Sequence, residues 1–317
     1  MGRFAAGDAP HADATVAAAV AKIGAEIDSL KVPRLLGVVL GGGYARGEGG
    51  VFVDPDGRER LSNDLDFYVV AEDGSTPGEL AAINAALAPL SEKWTALTGV
   101  DVDFCPAKTP WRMKHDGERV MIQELLHGYV DAAGEKGEKM FAGIARREPS
   151  EFPWTEAARL LMNRGAGLMF AMVSADRAFA VRNVNKCVLG AGDAALILRR
   201  AYRWKATERA EALGDALYSA AVEWKFRPRA EAVCTWDEAR EKWLAAFDEA
   251  MEAGRAGGEL KRSVYQAARW IARRRSPGPL ASFGQDCTVR VLRGVADCVR
   301  ERRPLPEPLV ADWKVFN

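Results

Sequence analysis

Apolar positions recur along this chain with two different periods. Val16, Val20, Ile23, Ile27 and Leu30 follow the helical period, which predicts a helix capped by Asp13 or Thr15 and broken by Pro33. The run LLGVVL at 35–40 is short and wholly apolar, the pattern of a buried strand. Leu65, Phe67 and Val69 alternate with Asp64, Asp66 and Tyr68, which predicts a strand with one buried face. Between these lie Phe52-Val53, Asp54-Pro55-Asp56-Gly57 and Arg58-Glu59-Arg60-Leu61, a hairpin about a turn. Residues 78–97 return to helical spacing through Leu80, Ile83, Leu87 and Leu90. Val100, Val102 and Phe104 then alternate with Asp101, Asp103 and Cys105, a strand expected to end at Pro106.

Near residue 150 the texture changes. Strand-like alternation stops, and helical segments are predicted at 155–176, 182–204, 207–225, 235–253, 259–274 and 283–301. Pro149, Ser150 and Pro153 mark a boundary. The expectation is an α+β chain. A mixed-sheet domain spans 1–150 and an all-α helical domain spans 151–317. Seven of the nine tryptophans lie in the second part, as an aromatic core or an acceptor pocket.

Charge sharpens this division. Lys+Arg and Asp+Glu both number 44, so the chain is neutral overall, which argues against a basic nucleic-acid-binding surface. Residues 1–150 hold 16 basic and 23 acidic residues, and 151–317 hold 28 and 21, giving net charges of −7 and +7. An acidic half suits cations and a basic half suits an anion; drift of composition accounts for it equally well. No apolar stretch reaches the length of a membrane span, and the first residues lack the apolar core of a signal peptide. The five cysteines are scattered, with no CxxC spacing. A cytoplasmic protein with free thiols and no membrane partner is expected.

Three segments of the first half carry candidate chemistry. Gly42-Gly43-Tyr44-Ala45-Arg46-Gly47-Glu48 directly follows the predicted buried strand. Glycines there allow a phosphate to approach the backbone, and a helix starting there would favour an anion; a plain turn has the same composition. Asp64 and Asp66 leave one face of a strand together, an arrangement suited to a hard cation such as Mg²⁺ or to a solvated strand face. Asp101 and Asp103 repeat that geometry and offer a third carboxylate.

In this order the segments resemble the DNA polymerase β-like nucleotidyltransferase superfamily. Gly42–Glu48 with Ser62-Asn63-Asp64-Leu65-Asp66 is most similar to the GGYGRGE…SDIDL version, found in uridylyltransferases that modify a nitrogen-regulatory signalling protein. Ala45 replaces a glycine, Asn63 replaces a serine, and the hairpin lengthens the spacer between the two motifs. Members often read Asp-h-h-Pro at the third carboxylate, which Asp103-Phe104-Cys105-Pro106 fits better than Asp101 does.

The resemblance implies a nucleotidyltransferase-like sheet followed by a helical domain. It implies transfer of a nucleoside monophosphate from an NTP such as ATP to a small-molecule or protein acceptor, with release of pyrophosphate. Asp64, Asp66 and Asp103 would be the catalytic, metal-holding carboxylates, with Mg²⁺ or Mn²⁺ as cofactor. Gly42, Gly43, Tyr44, Arg46 and Lys186 would bind nucleotide, Arg46 contacting phosphate or Glu48. Other classes are an inactive nucleotide-binding regulatory protein of this fold and a toxin–antitoxin nucleotidyltransferase. Further polar positions weighed are Arg164, Asn185, Asp193, Tyr202 and Lys205, with His115 and His127 as ordinary polar residues. Arg273-Arg274-Arg275 is expected to end a helix.

Overall fold

The longest uninterrupted apolar run, LLGVVL, forms β1 (Leu35–Leu40), an inner strand of a four-stranded sheet. The computed structural model describes residues 3–256 and 287–316. The chain is α+β, with its strands in the first half and helices in the second. Its strands are β1, β2 (Val51–Val53), β3 (Glu59–Leu61), β4 (Leu65–Ala71), β5 (Val102–Lys108) and β6 (Val130–Gly134). The sheet order is β5-β4-β1-β6, while β2 and β3 form a separate hairpin. β1 is antiparallel to both β4 and β6, and β4 is parallel to β5. A parallel pair needs a long crossover, here α3 (Pro77–Thr98). That helix starts at a capping box, Thr76 with Glu79, and ends at Gly99 in the left-handed region.

Both faces of the sheet are covered. Val38, Leu40, Leu65, Phe67 and Val69 pack with Val16, Val20, Ile23 and Ile27 of α1 (Pro10–Leu30) and with Ile83 and Leu87 of α3. Val39 and Val70 face the other way, into Met113, Ile122, Leu125, Met140 and Phe141. These come from α4 (Pro110–His115), α5 (Val120–His127), α6 (Gly137–Met140) and the residue after it. Two-sided burial is why β1 reads as continuous rather than alternating. The helices and the strand between 110 and 140 are too short to carry a period and were not expected from the sequence.

Three local expectations are corrected. Leu30 is exposed, because the apolar stripe of α1 ends at Ile27. Asp13 lies inside the first turn of α1 and does not cap it. Its carboxylate instead accepts the N–H groups of Arg3 (2.8 Å), Phe4 (2.9 Å) and Ala5 (2.8 Å), tying down an N-terminal arm whose Phe4 is buried. Pro106 does not end its strand: β5 runs on to Lys108. It is an edge strand, where a missing N–H is tolerated, and its register with β4 slips at this point.

By internal contacts the chain divides into Met1–Arg147 with Lys225–Pro228, and Glu148–Trp224 with Arg229–Asn317. The second unit contains α7 (Trp154–Val173), α8 (Arg177–Leu198), α9 (Ala206–Leu213), α10 (Ala216–Phe226, its last two residues excepted), α11 (Trp236–Ala256), α12 (Cys287–Glu301) and α13 (Glu307–Phe316). The single helix expected at 207–225 is two, divided at Gly214 in the left-handed region. The segment expected at 259–274, the start of that at 283–301, and Arg273-Arg274-Arg275 lie outside the described residues.

The tryptophans of this unit include core residues. Trp243 is buried, and its indole N–H donates to the Leu161 carbonyl (2.9 Å). Trp154 donates to Ala250 (2.7 Å) and Trp236 to Leu168 (3.0 Å). Each packs a large apolar surface and satisfies its one polar atom across α7 and α11. Asp193 and Tyr202 also serve the interior. Arg209 pairs with Asp193 (3.0 Å) and donates to the Tyr202 hydroxyl (3.1 Å), and Tyr218 donates to Asp193 (2.6 Å). Asn185 is buried, accepts from Val233 N–H (3.0 Å) and donates to the Val181 carbonyl. Arg164 lies against Gly190 of α8. Among the described residues no helix is long and apolar enough to cross a membrane.

Asp13→Ala removes three charge-assisted acceptances at once. The expected loss is about 1–3 kcal/mol in denaturant unfolding, with earlier proteolysis of the arm.

Candidate metal and phosphate site

The site begins where β1 runs out. Gly41 N–H donates to the Asp66 carbonyl (2.8 Å), so the glycine run starts alongside β4. Gly42 has φ +68, the left-handed region that glycine enters freely. A Cβ on Gly42 would stand 2.4 Å from Asp66 Oδ2, so the loop lies directly against that carboxylate. α2 (Gly42–Ala45) is a single turn. The loop then closes on itself: Arg46 (3.1 Å) and Glu48 (2.8 Å) N–H groups both donate to the Gly43 carbonyl. The helix anticipated after the strand is therefore four residues long and adds little dipole.

The carboxylates come together through strand register. Asp66 of β4 is the direct partner of Asp103 of β5. Asp64 immediately precedes β4 rather than lying in it, and the next residue, Leu65, donates its N–H to the Asp101 carbonyl (2.8 Å). One ligand oxygen each from Asp64, Asp66 and Asp103 all lie within 4.8 Å of one another. Asp101 is exposed and outside this group. Among the described residues it is the one such cluster of acidic, histidine or cysteine side chains.

The surroundings are electronegative. The Asp103 carboxyl is pushed above its ordinary value by partial burial, with the charges of Asp64 and Asp101 adding to it. The Cys105 thiol, two residues on, is pushed up to about 11 by burial and then by Asp66 and Asp103. The Tyr68 phenol, its cross-strand partner, is pushed up by burial, with Cys105, Asp66 and Glu124 adding. An all-oxygen donor set of three close carboxylates fits a hard divalent cation such as Mg²⁺ or Mn²⁺, not a thiolate-seeking metal.

The remaining candidates separate. Arg46 caps the end of α2 and pairs with Glu124 of α5 (3.3 Å), not with Glu48. Its Nε is buried without a hydrogen-bond partner, an orphan donor of the kind a bound anion satisfies. Tyr44, counted among the nucleotide-binding residues, is a correction. It is 1% exposed, and its ring lies so close to Gly49 that a Cβ there would be 1.9 Å away. Its hydroxyl donates to the Gly50 carbonyl (2.7 Å) and accepts from Ser62 (3.1 Å) and Asn63 (3.4 Å) N–H groups, so no ring face remains for a base. Asn63 accepts Gly50 N–H (2.6 Å), which joins the two motifs. Lys186 is half-buried on α8, in the second unit. Lys205 is exposed and 4.0 Å from Glu208.

Two residues escaped the sequence reading. Glu124 gave only the weak signal of a short amphipathic segment. Lys225 reaches Glu48 at 2.9 Å from 177 positions away, and no spacing rule connects them. The signal available was the glutamate itself: a carboxylate placed among glycines next to a buried strand needs a cation if it is to be buried.

No protein-family model matches the chain, and no curated protein matches it in sequence.

Asp103 gives the site a pH signature. Its raised folded-state value means that the folded chain binds more protons than the unfolded one above the ordinary value of 3.8. Stability contributed by this group therefore falls as pH rises through that interval. Asp103→Asn is expected to remove the fall and raise the Tm at neutral pH in chelator-treated buffer. Thermal melts from acid to neutral pH measure it.

Proposed function

We propose that this chain is a metal-dependent nucleotidyltransferase, moving a nucleoside monophosphate from an NTP to a hydroxyl of a small-molecule or protein acceptor. The observation that carries the reading is the register-paired carboxylate cluster lying against a glycine loop at Gly42. The order of these parts along the chain resembles the DNA polymerase β-like superfamily, which supports the same reading. The four free cysteines among the described residues are in keeping with a reducing cytoplasm.

Divalent cations held by Asp64, Asp66 and Asp103 would neutralise the triphosphate and acidify the acceptor hydroxyl. The chain's own contribution is position and charge. Gly42 and Gly43 carry no side chain between backbone and phosphate, so the β- and γ-phosphates can come close. Arg46 offers its orphan Nε. The acceptor oxygen attacks the α-phosphorus, the α–β phosphoanhydride bond breaks, and pyrophosphate leaves with the bonding pair. The hydroxyl proton would pass to Asp103.

Asp64→Asn and Asp66→Asn are each expected to abolish transfer from α-labelled NTP while the fold persists. Melts of the wild type with each NTP and Mg²⁺ should show a rise with at least one, absent in the double variant. Full activity in either single variant overturns the mechanism; nucleotide binding with no transfer to any acceptor points to the regulatory class. Gly42→Ala should lose the same Mg²⁺-dependent rise, with about 1–2 kcal/mol of direct destabilisation from the left-handed backbone.

A further inference from the structure

Glu48 closes the glycine motif and is 6% exposed. Its carboxylate takes the Lys225 ammonium at 2.9 Å, and both side chains are mostly buried. Residues Lys225–Pro228 belong to the first unit although the chain on either side of them belongs to the second. They make more than one contact there. The Lys225 carbonyl lies against Gly50, where a Cβ would stand 2.4 Å from it, and Arg227 donates to the Asp8 carbonyl (3.3 Å) in the N-terminal arm. That arm holds the same turn from another side: Gly49 N–H donates to Phe4 (3.0 Å) and Ala6 N–H to Gly49 (2.8 Å). Glu48 N–H in turn donates to the Gly43 carbonyl (2.8 Å), next to the glycine that touches Asp66.

This chain of contacts has a mechanical consequence. A one-turn helix has no cooperative length of its own to hold a loop in place. Loops without such support open at low free energy. The Lys225–Glu48 pair supplies a fixed point at the far end of the loop, and neither partner can leave without breaking a mostly buried ion pair.

We propose that Lys225 is a positioning residue: acting through Glu48, it fixes the glycine loop against Asp66 and thereby sets the affinity for the nucleotide. This role rests on the nucleotidyltransferase reading. The loop would contact phosphates in the ground state and the transition state alike, so its loosening weakens both equally, raising KM and leaving kcat in place.

The test uses the full chain and three variants: Lys225→Met, Lys225→Arg, and Glu48→Gln with Lys225→Met. Hydrogen exchange is followed in peptides covering 41–50, beside KM and kcat for the NTP that the wild type uses. Lys225→Met is expected to speed exchange in that loop and to raise KM about tenfold, with kcat changed by less than about twofold. Lys225→Arg should restore both. The double variant removes the Glu48 charge as well and so separates loss of the tie from the effect of a carboxylate that has lost its lysine: its KM should stay raised. A wild-type KM in the double variant, or in folded Lys225→Met, overturns the role while leaving the proposed function standing. A kcat loss without a KM change overturns it as well. A wild type that uses no NTP at all overturns the proposed function and this role together, and that is seen before any variant is compared.

Discussion

Three carboxylates within 4.8 Å of one another repel, and the architecture around them is what a fold needs to hold such a cluster. Side chains on loops would swing apart. Here two of the three are fixed by hydrogen-bonded strands, β4 and β5, with α3 packed against β5. The third, Asp64, is pinned by the Leu65–Asp101 backbone bond beside it. Asp103 holds its proton more tightly than an isolated aspartate, first through partial burial and then through the charges of Asp64 and Asp101. The sheet is covered on both faces, so its strands have the burial to sustain this strain.

The loop facing the carboxylates is held by a different means. It has no long helix behind it. It relies on polar groups buried and paired one by one: Tyr44 with Gly50, Ser62 and Asn63; Asn63 with Gly50; Arg46 with Glu124; Glu48 with Lys225. Buried polar networks specify geometry only when their members find partners. Arg46 Nε and Ser62 Oγ are the exceptions within this set, and the first is on the arginine that caps the loop's single turn.

What the sequence revealed follows from this split. β1, β4 and α3 were legible because each buries a regular apolar set, and hydrophobic periodicity reports burial. The carboxylates were legible as alternating aspartates beside apolar strand positions, although Asp64 precedes its strand and Asp103 joins Asp66 through the register of β4 with β5. Pro106 misled because edge and inner strands look alike until the sheet order is known. Tyr44 stood with the nucleotide-binding residues through the resemblance alone; its packing against Gly49 makes it a core ring. Lys225 was invisible because ion pairs distant in sequence leave no local pattern. The break at Gly214 was missed because one glycine within a long polar–apolar repeat is often tolerated.

β5 is the outer strand of its sheet and carries a proline, and among the described residues one of its sides has no strand bonded to it. Asp103 sits on this strand, opposite Asp66 on the next. An ion shared by the two would stitch the hem of the sheet to its interior. The width of that stitch is set by the spacing of bonded strands, about 4.8 Å in any sheet, a ruler that side-chain variation does not alter. Integrity of the margin and occupancy by the ion would then be two readings of one equilibrium: fraying of the border would release the ion, and a bound ion would hold the border strand to its neighbour.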